Sequence, residues 1–352
     1  VYGDYRRLLE DPDIDAVIIG TPDHWHCLIT ADACAAGKDV YVEKPLANSI
    51  EECYLMTAIA RKYERVVQVG QWQRSGRHWA DALDFVQSGK LGRVRLVKAW
   101  AYQDWMKPVP VLPDEPVPDG VDYEMWLGPA PQRPFNRNRF HFNFRWFWDY
   151  AGGLMTDWGV HLIDMALAGM NASTPKSVIA SGGKFAYPDD ASETPDTLQT
   201  VYEFDDFSML WEHATGIGLG PYKRDHGVAF VGNSGTLVVD RGGWEVIPEV
   251  ERENWRPKRY KMEHVPPQSR AGSGGLDEHT QNFVDCIKSR ERPACDVAIG
   301  ANTAVVAHMG NVAFKTGRKV FWDASSRSFK NDDEANALMR VAYRGPWKLP
   351  EA

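Results

Sequence analysis

Cysteine is scarce and poorly placed for cross-linking. The 352-residue chain has five (Cys27, Cys34, Cys53, Cys286, Cys295), an odd number without C-x-x-C spacing, which argues against a disulfide framework. Long apolar runs are missing as well: about 18 consecutive uncharged apolar residues are not found, so no membrane-spanning segment is expected. There is no basic tract. With Lys+Arg 40 against Asp+Glu 48 the formal charge is −8, which disfavours nucleic acid and anionic membrane surfaces as partners. Repeats and low-complexity segments are absent too. What is present is ordinary for a folded protein, 43% hydrophobic and 25% charged residues. At about 150 residues per domain the length favours two domains. Aromatic residues are plentiful, with 14 Trp.

The first seventy or so residues alternate helix and strand. An amphipathic helix over Asp4–Glu10 ends at Asp11-Pro12-Asp13. Ala16–Gly20, Asp39–Glu43 and Arg65–Gly70 read as short strands, the apolar run Ala16–Gly20 as one buried on both faces of a parallel sheet. Helices are expected between them, over His26–Ala36 and Ser49–Tyr63, the second opening with a Ser49/Glu52 capping box. Such a βαβαβ order places ligands beyond the C-terminal ends of the strands. After a helix over Arg77–Ser88 the pattern changes. A strand over Val94–Tyr102, a Pro-rich loop over Pro108–Pro118, the aromatic stretch Phe140–Tyr150 and a single helix over Thr156–Ala168 follow. Between Val178 and Ile247 short alternating runs separated by turn signals predict antiparallel strands. Pro257–Gly275 reads as loop, and helices return over Glu278–Ser289 and Ile299–Thr316.

Three clusters sit where chemistry is expected. Thr21-Pro22-Asp23-His24-Trp25-His26 follows the first strand, and Glu43-Lys44-Pro45 the second. His24 and His26 are open to two readings, as packing for the following helix or as site residues. Lys44 has its backbone set by the strand before it and by Pro45 after it. The third cluster runs from Gly152-Gly153 through Asp157 and His161 to Asp164. On one helix Asp157 and His161 are i and i+4 and share a face, and Asp164 is placed to hold the other ring nitrogen of His161. The aromatic stretch divides between core and a crevice-facing remainder suited to sugar C–H faces, with Arg145 and Asn143 placed to take hydroxyls.

Taken together, Thr21-Pro22-x-His24-x-His26, Glu43-Lys44-Pro45, Gly152-Gly153…Asp157-x-x-x-His161 and the late pattern Asn282-Phe283, Arg292-Pro293, Gly317-Arg318 resemble the Gfo/Idh/MocA oxidoreductase family over nearly the whole chain. The resemblance implies an α/β fold. An incomplete Rossmann-type parallel sheet would occupy residues 1–90, an α+β domain with an open, mainly antiparallel sheet 91–330, and a C-terminal tail 331–352. It implies NAD or NADP as cofactor and hydride transfer at a carbinol carbon of a sugar or polyol. Lys44, Asp157 and His161 would then be catalytic, with His161 the proton acceptor. Thr21, Pro22, His24, His26, Glu43, Lys44, Pro45 and Gln71 would line the cofactor, and Trp72, Arg74, Arg145, Trp148, Asp157 and His161 the substrate. No metal site is implied.

One element of that pattern is not found. A strand followed by G-x-G-x-x-G and a helix opens a Rossmann domain, and none precedes Asp4, while Gly216-x-Gly218-x-Gly220 leads into Pro221 after an antiparallel strand. The diphosphate-binding half is therefore expected ahead of Val1. Any export signal would lie there too, which leaves cytoplasmic and periplasmic locations open. An open sheet with one bare face predicts a homo-oligomer. Three alternatives stand beside the dehydrogenase reading: redox-assisted glycoside hydrolysis, an amidohydrolase-like metal site, and a non-catalytic sugar-binding protein.

Overall fold

The computed structural model describes residues 1–270 and 272–352. Helix α1 (Tyr5–Leu9) is capped by the Asp4 side chain. The three apolar runs form parallel strands β1 (Ala16–Ile19), β2 (Asp39–Val42) and β3 (Val67–Val69), in the order β1-β2-β3. Helices α2 (His26–Ala35) and α3 (Ile50–Lys62) make the crossovers. The capping box forms as expected: Ser49 Oγ accepts from the Glu52 N–H, while the Ser49 hydroxyl and the Asn48 N–H donate to the Glu52 carboxylate. Burial on both faces holds for β2 but not for β1. Among the described residues β1 is an edge strand whose one partner is β2, and its Ile18 is 73% exposed.

Helix α4 (Arg77–Gln87) leads into the second sheet. Its strands are β4 (Leu96–Gln103), β5 (Ser177–Gly183), β6 (Thr197–Glu203), β7 (Ser208–Thr215), β8 (His226–Val231), β9 (Gly235–Asp240) and β10 (Gly243–Pro248). A separate hairpin, β11 (Val250–Glu253) and β12 (Arg256–Tyr260), turns at Asn254-Trp255, both at positive φ. Then come β13 (Gln268–Ser269), β14 (Val320–Asp323) and β15 (Ser328–Phe329). The ten strands run β13-β10-β9-β8-β4-β7-β6-β5-β14-β15, antiparallel except for the central β4–β7 pair. β12 and β13 correct the loop expected over Pro257–Gly275. Alternation sorts the sheet's faces. Leu96, Ile179, Val201, Ile247 and Phe321 share one face by register and are exposed.

Helices cover the other face. Between β4 and β5 lie α5 (Tyr123–Leu127), α6 (Leu154–Asp157) and α7 (Gly159–Gly169). The expected single helix over Thr156–Ala168 is thus two, meeting at Trp158. After β13, α8 (Leu276–Ser289) and α9 (Val297–Thr316) return to the first sheet. The Val69 N–H donates to the Cys295 carbonyl, and the Gln68 amide to that of His279. By length and composition α9 is apolar enough to cross a membrane, contrary to the absence expected from the sequence; it is a core helix, mostly buried inside the molecule. It packs on α3, α7 and β5.

Residues 331–352, after a short α10 (Asp333–Ala337), are strapped across both units. The Tyr343 hydroxyl donates to Glu52 Oε1 at 2.7 Å, Arg344 donates to the carbonyls of Gly128 and Ala130, and Trp347 packs edge-on against Trp25. Removing the buried donor leaves a carboxylate oxygen unmatched. Tyr343→Phe is therefore expected to lower the unfolding free energy by about 1–3 kcal/mol in urea titrations. No change would show that the strap adds nothing to stability.

Candidate active site

The C-terminal ends of the three parallel strands converge on α6 and α7. From β2, Lys44 Nζ donates to Asp157 Oδ1 at 2.6 Å and to the Asp157 carbonyl at 3.1 Å. Arg145 Nε donates to the same Oδ1 at 3.2 Å. The aromatic stretch presents Arg145. It folds as short 3₁₀ turns whose Phe144, Trp146, Phe147 and Tyr150 are buried, and the guanidinium lies over the rings of Phe142 and Phe144. Burial raises the Asp157 carboxyl, but Lys44 and Arg145 outweigh it and hold the group below the ordinary carboxylate value.

His161 is buried one turn further on and its Nδ1 has no protein partner. Burial first, then the charges of Lys44, Arg241 and His226, push its pKa well below the usual histidine value. The expected contact between Asp164 and His161 does not form. Asp164 instead takes two hydrogen bonds from Arg74 Nε, one from Nη2 at 2.7 Å, and one from the Thr303 hydroxyl at 2.9 Å. Arg74 is thereby removed from the substrate wall: it ties the turn after β3 to α7. Gln71 is occupied similarly, its amide donating to the Val160 carbonyl and its Oε1 accepting from Cys295 Sγ. Trp148 faces a separate cavity of about 140 Å³ shared with His24, Glu52 and Tyr343, and Lys315 sits 3.9 Å from its ring centroid.

The loop after β1 is built around buried groups. His26 has its ring nitrogens 2.8 Å from the Pro45 carbonyl and 2.9 Å from that of Thr21, so it joins the ends of β1 and β2. His24 packs against Trp126 and Tyr150, with Nε2 3.0 Å from the Trp126 carbonyl, and burial takes its pKa down to about 4. Pro22 starts the 3₁₀ turn Asp23–Trp25. Glu43 accepts the Lys44 N–H at 3.1 Å and lies against Gly70, where a Cβ would approach its carboxylate to 3.0 Å. The Lys44–Pro45 peptide is cis.

Three site residues were not singled out from sequence. Asp23 is buried facing Arg145, Lys44 and Asp157; burial pushes its carboxyl up to about 8, against the pull of the two cations. Trp158, at the junction of α6 and α7, stands edge-on to His161, as does Trp72. Arg241 lies over both indoles, 4.9 Å from the Trp72 centroid and 4.6 Å from that of Trp158. It belongs to the turn between β9 and β10, a stretch with no local signal that its side chain reaches across the sheet end.

Thr21 Oγ1 and His161 Nδ1 are buried polar atoms without partners beside this convergence. With Lys44 they fit the nicotinamide end of a dinucleotide; Thr21, Pro22 and Lys44 are the residues that would hold it. The diphosphate end calls for a glycine-rich loop that these 352 residues do not contain. The amidohydrolase-like alternative fails on fold, because the second unit is an open ten-stranded sheet and not a barrel of repeated β-α units.

A parallel sheet with crossover helices, joined to an open mixed sheet at such a site, defines a two-domain protein of the dinucleotide-dependent oxidoreductase class. Residues 1–71 match the oxidoreductase family, NAD-binding Rossmann fold, and residues 80–216 and 269–349 match its C-terminal alpha/beta domain. The chain belongs to the Gfo/Idh/MocA oxidoreductase family. It is 36% identical over 106 residues to a 1-carboxy-3-chloro-3,4-dihydroxycyclohexa-1,5-diene dehydrogenase of Comamonas testosteroni, covering 30% of this chain and 27% of that protein. It is 35% identical over 102 residues to levoglucosan dehydrogenase of Pseudarthrobacter phenanthrenivorans, covering 29% and 26%. A longer alignment, 28% identical over 325 residues, covers 91% of this chain and 82% of the oxidoreductase YrbE of Bacillus subtilis. The chain thus spans about a quarter of the first two relatives and most of the third. Its fold is shared with a levoglucosan dehydrogenase solved with NADH and levoglucosan, at TM-score 0.66 and 21% identity over 91% of this chain and 83% of that one.

Asp157→Asn keeps the shape and removes the charge between two cations. It is expected to cost about 3–5 kcal/mol of stability at neutral pH, since it leaves a largely buried ammonium unpaired. The wild-type advantage is full above the ordinary aspartate value of 3.8 and is lost as pH falls through the depressed folded value, so the two unfolding curves should converge in acid. Curves that stay parallel to pH 3 would contradict this pairing energy.

Proposed function

We propose that the protein oxidises a secondary alcohol of a sugar or polyol with NAD or NADP. The observation that carries this reading is His161: an imidazole kept neutral by burial and by nearby cations, unpartnered at Nδ1, beside the Lys44–Asp157 pair. When bound, the nicotinamide supplies the acceptor for the carbinol hydride. Asp157, held ionised, orients the substrate hydroxyl. His161 takes the hydroxyl proton at Nδ1, and the Lys44 ammonium stabilises the negative charge that develops on the oxygen as the proton leaves. Trp72 and Trp158 offer apolar faces to the sugar ring. The dehydrogenase names of relatives sharing 36% and 35% identity support the reaction class, and the name of the second supports a sugar-like substrate.

His161→Ala should lower kcat by about 10²–10⁴-fold while NAD+ still quenches tryptophan fluorescence. The acid limb of the wild-type kcat/KM profile should fall below the ordinary histidine value of 6.5, and Lys44→Met should move it upward by removing a positive neighbour. Turnover that survives in His161→Ala removes the assigned role. Release of nitrophenol from aryl glycosides without NADH accumulating would replace net oxidation by the redox-assisted hydrolytic route. The exposed face carrying Leu96, Ile179, Val201 and Phe321 is the surface we assign to self-association. Sedimentation velocity should report a dimer or tetramer that Val201→Lys weakens.

A further inference from the structure

Among the described residues, Arg241 is the one cation at this site that the protein does not pair. Lys44 and Arg145 share Asp157, and Arg74 is taken by Asp164. Among the described residues, no carboxylate lies within 4.0 Å of the Arg241 guanidinium, and its only side-chain hydrogen bond runs from Nε to Gln73 Oε1 at 3.3 Å. Both Nη groups, four N–H donors, are left over. Burial is deep enough to lower its pKa, with Asp157 and Asp225 pulling the other way from a distance. The guanidinium is only half-buried and its free Nη donors are not sealed from solvent, so they are open to a ligand entering the site.

Its neighbours fix where a ligand's counter-charge would sit. Trp72 and Trp158 carry the guanidinium on their rings and both stand edge-on to His161. The Gln73 that holds Nε also donates to the His161 carbonyl at 3.1 Å, so Arg241 is indexed to the same turn as the proposed proton acceptor. The charge balance agrees. Lys44, Arg145 and Arg241 face Asp157, with Asp225 acting on Arg241 from further off and itself beside His226, while burial pushes the carboxyls of Asp23 and Glu43 toward their neutral forms.

We propose that Arg241 recognises a carboxylate on the substrate, so that the preferred sugar is an acid such as a hexuronate and not a neutral sugar. A planar carboxylate matches two parallel N–H donors of a guanidinium whose faces are occupied by indoles. This inference rests on the sugar-oxidising reading of the site and narrows it.

The test compares D-glucuronate with D-glucuronamide, which has the same shape without the charge, by calorimetric titration of the protein in the presence of NAD+. The wild type should bind the acid at least about tenfold more tightly, the value of a charge-assisted hydrogen bond. In Arg241→Gln the ratio should fall to about one, and in Arg241→Lys it should be intermediate, with circular dichroism confirming that both variants fold. A wild-type ratio near one overturns the proposal without any variant, and so does a ratio that survives in Arg241→Gln. If glucuronamide and D-glucose bind and are oxidised while the ratio is one, only the role of Arg241 fails. If no sugar, acidic or neutral, binds or is oxidised, the sugar-oxidising reading fails with it.

Discussion

Asp157 Oδ1 accepts from two cations that approach along different paths. Lys44 arrives at the end of a parallel strand in the first sheet, and Arg145 from aromatic turns more than a hundred residues later. Neither cation has another carboxylate within ion-pairing distance among the described residues, and both are largely withdrawn from water. A single oxygen therefore decides how the first sheet docks against α6, because moving that helix would strand a desolvated ammonium. The helix break at Trp158 follows from the same demand. α6 turns Asp157 toward Lys44, and the restart at Gly159 lets α7 turn His161 toward the two indoles.

Burial sorts the acids and bases around that oxygen into different states. Asp157 stays ionised because two positive charges outweigh its desolvation, whereas Asp23, with the same cations at longer range, is pushed up to about 8. His161 is neutral for want of any compensating acid. Two aspartates and a histidine thus take distinct protonation states from environment alone.

Much of this was legible in the sequence, for identifiable reasons. Short apolar runs and the Ser49/Glu52 box give β1, β2, β3 and α3 because their signals are local. Lys44, Asp157 and His161 come together as expected because strand ends and a helix start have fixed directions. Arg74 and Asp164 were read as site residues, and a linear reading cannot show that each is the other's partner. Trp148 was misplaced for a similar reason: alternation within an aromatic stretch does not say which rings enter the core. Arg241 gave no local signal, since a turn in an antiparallel sheet is defined by its glycines while its neighbours in space come from β3 and α6–α7. Neither β12 nor β13 has an apolar face to mark it, the first being exposed and basic and the second two exposed polar residues.

The outer edge of β1 bears on how the first sheet can be continued. Ala16-Val17-Ile18-Ile19 carries no charge and no proline, and its outer row of backbone donors and acceptors meets no partner strand among the described residues. Charge, proline and bulges are the usual devices that close such an edge to further strands, and β1 itself carries none of them. An edge of that kind is open to further pairing: a strand added along β1 would continue the parallel sheet beside the loop that carries Thr21, so this row of backbone groups is where the first sheet can be extended.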